Sequence, residues 1–383
     1  MKKICFITTV SITLKSFVVE TAKYLHEQCG WDVTLICNND EEFAKSLPEY
    51  LHYIPVSMER GVNLGGFKAI NRFKEIFKRE KFDAVQYATP NASFYASIAA
   101  KETKIPIRLY CQWGIRYIGF TGLKRTIFKI LEKEVCKNST HIFSVSPMNM
   151  QFAIEENLYK AEKAQVVGNG GTIGVDCTVF DIDKKEQWRK QIREKLSLNE
   201  TDFVFGFSGR IGVDKGCKEL FAAFRLLQEN KVNAKLLLVG PLEENCGMDK
   251  ETLDWVDTCP FICSTGLIKN EDMCKYYAAM DVLVHPTYRE GFGMVIQEAG
   301  ALEVPVITTK IPGASEVMES NVSCLLVPAK DEMALKNAME SLYANPQRVK
   351  ELGRAAYERT LSRYERNIML SNKKTAYQKL LGE

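Results

Sequence analysis

Glu290 and Glu298 bracket the run Gly291-Phe292-Gly293-Met294-Val295-Ile296-Gln297, and no other stretch of the chain is as rich in chemistry. An apolar, strand-like run over 281–285 precedes it, closed by Pro286 and Thr287. Residues 294–302 lack proline and predict a helix. A strand, a glycine turn and a helix start leave backbone N–H groups without intrahelical partners, a natural anion site. The two carboxylates flank that turn, Glu290 before it and Glu298 about a turn and a half into the helix. Carboxylates accept hydrogen bonds from hydroxyls, so the pattern suits a nucleotide-sugar: diphosphate on the N–H groups, ribose and sugar hydroxyls on the acids.

A second cluster supports the first. The apolar run 203–208 ends in Gly209-Arg210-Ile211-Gly212-Val213-Asp214-Lys215-Gly216, ahead of a predicted helix over 218–230. Arg210 and Lys215 project from one glycine-bounded loop, where they can clamp a diphosphate and offset the charge that grows on it as it leaves. Alone, such a loop reads as solvated cations, and helical glutamates usually face water. Here both clusters fall at strand ends, and Glu298 lies between the apolar Ile296 and Ala299.

Together, Gly209-Arg210 with Lys215-Gly216, Glu290-Gly291-Phe292-Gly293 with Glu298-Ala299, and Pro305-Val306-Ile307 resemble the retaining nucleotide-sugar glycosyltransferases of the GT-B fold, family four. The resemblance is strong over 203–327 and weaker before it. It implies a catalytic set of Glu290, Arg210 and Lys215, with the two cations on the donor diphosphate and Glu290 on the transferred sugar. It implies a donor-binding set of Glu298 on the ribose diol with Gly209, Phe292, Gly293, Met294 and Val295. It also implies a UDP-sugar as donor substrate, with no metal or other cofactor.

The first half departs from that pattern. Many members carry a Gly-Gly pair after the first strand, where this chain reads Val10-Ser11-Ile12-Thr13-Leu14-Lys15. Many carry a histidine near the fourth strand, where this chain reads Tyr87-Ala88-Thr89-Pro90-Asn91. His285 belongs to the other half and is expected to pack at a strand end. No histidine stands out as a base. The resemblance implies transfer on one face of the sugar, the leaving phosphate oxygen taking the acceptor proton, which needs positioning and electrostatic help more than a base.

These residues need two scaffolds to hold them. At 383 residues the chain has the length of two ordinary domains, and 46% hydrophobic with 26% charged residues is the composition of a soluble globular protein. Short apolar runs at 4–9, 33–37, 53–56, 84–88, 107–112, 141–145 and 165–167 alternate with helical stretches. After a polar segment the pattern restarts at 203–208, 235–239, 261–264, 282–285, 305–308 and 324–327. Alternation of this kind predicts parallel sheets covered on both faces. The expected fold is therefore α/β, two doubly wound Rossmann-like domains facing a central cleft. The glycine-rich stretch 168–174 sets the boundary. Residues 1–170 form an acceptor-binding domain to which a helix over about 365–383 returns, and 171–364 form the donor-binding domain.

The net charge of +3 conceals an asymmetry: 23 basic and 17 acidic residues over 1–170, against 28 and 31 beyond. Residues 60–137 alone hold 16 basic and 6 acidic residues, which implies an anionic partner. Within them Leu123, Ile127, Ile130, Leu131 and Val135 recur at helical spacing, with Lys124, Arg125, Lys129 and Lys133 on other faces and Arg116 just before. One reading is a core helix with a solvated basic face. The other is a peripheral contact with an anionic membrane, where Arg116, Lys124, Arg125 and Lys129 meet a lipid-linked saccharide acceptor. A second cationic helix, over 67–81, favours the membrane reading. The stretch 113–125 is similar to bacterial polysaccharide transferases that act on lipid-linked acceptors.

Other classes lack their residues. The first strand is not followed by G-x-G-x-x-G, no phosphate-binding G-x-x-x-x-G-K-[ST] loop occurs, and no nucleic-acid-binding motif accompanies the basic block. No apolar run reaches the ~20 residues of a membrane helix, and the short N-terminal run reads as a first strand rather than a signal. The 12 cysteines are scattered, as in a reducing compartment; Cys259 and Cys263 lack the partners of a zinc site. The expected activity is retaining transfer of a hexose or N-acetylamino sugar from a UDP-sugar to a polyprenyl diphosphate-linked saccharide in surface-polysaccharide synthesis. The expected location is the cytoplasm, on the inner face of the membrane. A nucleotide-sugar epimerase of the same architecture and a non-catalytic sugar-nucleotide-binding subunit remain as alternatives.

Overall fold

The computed structural model describes residues 1–59, 64–243 and 246–383, so Arg60, the first cation of the basic block, lies outside the described residues. The chain divides into two compact units, Met1–Ile173 with Asn367–Glu383, and Gly174–Arg366. The first carries β1 (Lys3–Ile7), β2 (Asp32–Cys37), β3 (Leu51–Pro55), β4 (Ala84–Tyr87), β5 (Ile107–Gln112), β6 (His141–Ser144) and β7 (Ala164–Val166). They form one parallel sheet in the order β3-β2-β1-β4-β5-β6-β7. β1 pairs with β2 on one side and β4 on the other, so the direction of winding reverses there.

Strand side chains alternate between faces, and both faces are covered. Ile4 and Phe6 join Trp31, Val33 and Leu35 in one core, while Cys5 and Ile7 join Phe73, Phe77 and Val85 in the other. Every position of the strand after Lys3 is therefore apolar, which is why it reads as a continuous run.

The second unit carries β8 (Phe203–Ser208), β9 (Ala234–Val239), β10 (Ile262–Ser264), β11 (Val282–His285), β12 (Val306–Thr309) and β13 (Cys324–Val327). Their parallel order is β10-β9-β8-β11-β12-β13, with the reversal at β8, between β9 and β11. The helix Cys217–Glu229 lays Leu220, Phe221, Phe224 and Leu227 on this sheet, against Phe205, Phe207, Leu236 and Leu238.

The last helix, Arg366–Leu381, belongs to the first unit from Asn367 onward. Its Tyr377 meets Phe6 edge-on at 6.0 Å, and its hydroxyl bonds Gln86 Oε1. Leu381 is buried in the same core. Lys373 Nζ donates to Thr21 Oγ1 at 3.1 Å, and burial pushes this ammonium down to about 8.

Candidate functional site

The reversal point of the second sheet gathers the residues singled out by their chemistry. Beyond β8 the loop makes a short 3₁₀ turn, Val213–Lys215, and ends at Gly216. Gly216 has φ +72, and a Cβ there would sit 1.9 Å from the carbonyl oxygen of Pro286. Only glycine lets this loop press so closely on the end of β11. The backbone N–H of Tyr288 donates to the Asp214 carbonyl at 3.0 Å, fixing the two loops together. Lys215 is thereby delivered to Glu290, its Nζ donating to Oε2 at 2.9 Å.

Glu290 has a further partner. His285, at the end of β11, is buried against Phe207 and lies 3.2 Å from the same oxygen through Nε2. The other oxygen, Oε1, accepts the N–H of Gly291 at 3.1 Å. Burial works against a charge on this carboxyl, but the His285 bond and the Lys215 cation prevail and hold it well below the usual carboxylate range. Burial lowers the His285 pKa, more than the bond to Glu290 raises it. A neutral ring with its proton on Nε2 donates to Glu290. The expectation that His285 only packs at a strand end is thus corrected: it packs, and it also holds the acid.

Glu298 sits in the helix Met294–Gly300 and is held differently. Tyr277 Oη donates to its Oε2 at 2.8 Å and lies 2.9 Å from Ser208 Oγ at the end of β8. Burial raises this carboxyl, outweighing the Tyr277 bond and the charge of Arg366. Gly293 starts the helix with φ 19° and ψ 64° and no side-chain cap. Phe292 is buried and meets Tyr364 edge-on at 5.6 Å, so its ring is core and only its backbone can serve a ligand. Met294 and Val295 are half-buried.

Arg210 does not join Lys215 on Glu290. It pairs with Asp214 at 3.5 Å and with Glu243, half-exposed beyond Gly209. The structure therefore brings Lys215 and Glu290 together, sets Glu298 on its own hydroxyl network, and leaves Arg210 on acids of its own side of the loop. Sequence reading missed His285 as a partner of Glu290, and Tyr277 altogether. The signal for His285 was its spacing, five residues before Glu290 across a turn; Tyr277 had none.

The tentative cations of the first unit lie on and before the helix Gly122–Asn138. Arg116 packs over Phe128 at 4.8 Å and Lys124 over Phe120 at 4.3 Å. Arg125 and Lys129 are both engaged by Glu156, at 3.3 and 2.6 Å. Two of the four are thus already paired with an acid that spacing did not reveal. The apolar stripe is split as well. Val135 is buried, whereas Leu123, Ile127 and Ile130 are 76%, 47% and 62% exposed on one face. A core helix would not leave them there. No helix among the described residues is long and apolar enough to cross a membrane.

The family model "Glycosyl transferase 4-like" matches residues 3–146, and "Glycosyl transferases group 1" matches 189–359. The capsular polysaccharide biosynthesis glycosyltransferase CapM of Staphylococcus aureus is 32% identical over 354 residues, 92% of this chain and 91% of that relative. A UDP-Gal:alpha-D-GlcNAc-diphosphoundecaprenol alpha-1,3-galactosyltransferase of Escherichia coli is 23% identical over 320 residues, 81% of this chain and 79% of that one. Among solved structures, HepE of Anabaena in complex with UDP matches with a TM-score of 0.78 over 100% of both chains at 16% identity. The shared architecture is GT-B, two parallel-sheet α/β units.

Proposed function

The chain belongs to the glycosyl transferases of group 1, and on that premise we propose that it moves a sugar from a UDP-sugar to a lipid-linked saccharide in surface-polysaccharide synthesis, with retention. The observation that carries this reading is the Lys215–Glu290–His285 cluster beside the helix start at Gly293. Lys215 meets the donor diphosphate, with Arg210 joining it once the charge of the ligand competes with Glu243 and Asp214. Glu290, kept ionised, accepts hydroxyls of the transferred hexose or N-acetylamino sugar, and Glu298 accepts those of the ribose.

In the transfer step the bond from the anomeric carbon to the UDP oxygen breaks and a bond to the acceptor oxygen forms on the same face. The acceptor proton passes to the leaving phosphate oxygen, so no side-chain base and no metal is required. Lys215 offsets the charge that develops on the diphosphate. The likeness to CapM and to the E. coli transferase named for a diphosphoundecaprenol acceptor supports a lipid-linked acceptor. The exposed Leu123, Ile127 and Ile130, flanked by Lys124 and Lys133, support a peripheral seat on the anionic inner face of the cell membrane.

The test is a thermal-shift screen of UDP-, GDP- and ADP-sugars, followed by turnover of the donor that binds. Transfer to a lipid-linked saccharide with an unchanged anomeric configuration is expected. Inversion would sink the same-face step. Isomerisation of free donor would make the protein an epimerase, and binding without turnover a non-catalytic partner.

A further inference from the structure

Glu298 is a sequestered acid without a cation of its own. The cation that acts on it, Arg366, is engaged by Asp176 at 2.9 Å. Tyr277 Oη takes its Oε2 at 2.8 Å, and none of the described residues donates to Oε1. For stability alone, an apolar residue of similar volume would serve this position as well or better. The acid is kept in place by a single neutral hydroxyl.

That hydroxyl is itself held. Tyr277 stands in the helix Met273–Ala278, 0% exposed, with its ring 6.1 Å from that of Phe180. Phenylalanine would fill the same space. What tyrosine adds is an oxygen set between Glu298 Oε2 and Ser208 Oγ, the latter at 2.9 Å and at the end of β8. A phenol has one proton to give, and a carboxylate can only accept. The phenolic proton therefore goes to Glu298, which leaves the Ser208 hydroxyl to donate to Tyr277 Oη. The result is a directed chain from Ser208 through Tyr277 to Glu298, in which each bond polarises the next. Ser208 is 3% exposed and directly precedes Gly209-Arg210, so the chain is anchored on the strand that carries the cationic loop.

The chain does two things to the acid. It ties down Oε2, so the carboxyl cannot turn freely and Oε1 is the oxygen left for a ligand. It also works against burial, which raises this carboxyl, and so favours the charged form. A hydroxyl bonds a charged acceptor about twice as strongly as a neutral one. We infer that Tyr277 is a positioning residue for the donor: it turns Glu298 Oε1 toward the ribose, and the Ser208–Tyr277–Glu298 chain selects ribonucleotides over nucleotides that lack the ribose hydroxyls. The inference rests on the donor reading above, in which Glu298 meets the ribose, and adds the groups that give that contact its direction and strength.

Calorimetric titration of the full chain with UDP and with 2′,3′-dideoxy-UDP tests it. The wild type is expected to prefer UDP by ~10-fold or more. Tyr277→Phe should weaken UDP and leave the dideoxy nucleotide nearly unchanged, reducing the preference to ~3-fold or less. A tyrosine that served packing alone would weaken both ligands alike and keep the ratio. Ser208→Ala should move the ratio the same way by a smaller amount, and it stands in if Tyr277→Phe unfolds. In a Glu298→Gln background Tyr277→Phe should change the ratio no further, because the acid it positions is gone. An undiminished preference for UDP in Tyr277→Phe and Ser208→Ala would overturn the inference, as would a further loss in the Glu298→Gln background. Equal binding of the two nucleotides by the wild type would remove Glu298 from the ribose and the inference with it. Failure of the wild type to bind UDP at all would overturn the donor reading itself.

Discussion

Glu290 in the second unit and Glu132 in the first are both sequestered carboxylates near the point where a parallel sheet reverses, and their neighbours treat them oppositely. Glu290 has a cation, a histidine N–H and a backbone N–H, and stays ionised far into acid. Glu132 has two neutral donors on one oxygen and is pushed toward its protonated form by burial. In the proposed donor site an ionised Glu290 keeps Lys215 placed for the diphosphate and accepts sugar hydroxyls, whereas Glu132 is held by the neutral Tyr110 and Gln112. Glu298, bonded by Tyr277, resembles Glu132 although it lies in the same unit as Glu290. The partner, not the unit, decides the character of the acid.

The strongest way to break this contrast is to remove the cation. Lys215→Ala is expected to cut transfer by at least ~100-fold, and Glu298→Ala by a similar factor, the scale of one lost transition-state contact. Near-native turnover in either variant, measured with saturating donor, would remove that residue from the site. Stability should follow the same logic. Lys215→Met strands a largely buried acid and should cost roughly 2 kcal/mol in urea unfolding, part of which Glu290→Gln restores in the double variant.

Acid titration sharpens the contrast further, because the two acids have opposite signs. The Glu290 carboxyl is depressed in the folded state, so its stabilisation is present above the ordinary Glu value of about 4.3 and fades as pH falls. The Glu132 carboxyl is raised, so its contribution is fullest below that value and is lost as pH climbs through the raised folded value. As pH rises from roughly 2 to 5 the stability difference between wild type and Glu290→Gln should therefore grow and then level off. That between wild type and Glu132→Gln should instead fall as pH rises above about 4.3. Parallel trends would show that the two environments do not differ as described.

Much of the fold was legible in the chain because parallel strands buried on both faces are largely apolar along their length. The runs at 107–112, 203–208, 282–285 and 324–327 coincide with β5, β8, β11 and β13. Within the candidate site, the strand–turn–helix geometry around Glu290 followed from glycine and proline punctuation. What spacing could not supply were contacts between distant segments. Glu156 reaches Lys129 and Arg125 from another helix, and Tyr277 reaches Glu298 across 21 residues. Tyr110 and Gln112 look like ordinary strand residues until the helix carrying Glu132 is laid over them.

The smallest expected effect concerns the membrane. Leu123→Ser with Ile130→Ser should weaken binding to vesicles containing anionic lipid several-fold, by loss of apolar area. Arg125→Gln with Lys129→Gln should do less, because Glu156 already engages both cations. The reverse order in a sedimentation assay would return the membrane contact to the charges.

The helix Arg366–Leu381 carries a consequence for synthesis on the ribosome. Tyr377 and Leu381 complete a core whose other members, such as Phe6 and Trp31, are translated before the second unit. The second unit, translated later, has its whole sequence available sooner. The domain begun first is thus the one finished last, and until the final helix arrives it waits with an open apolar face, the stage at which a chaperone would find it.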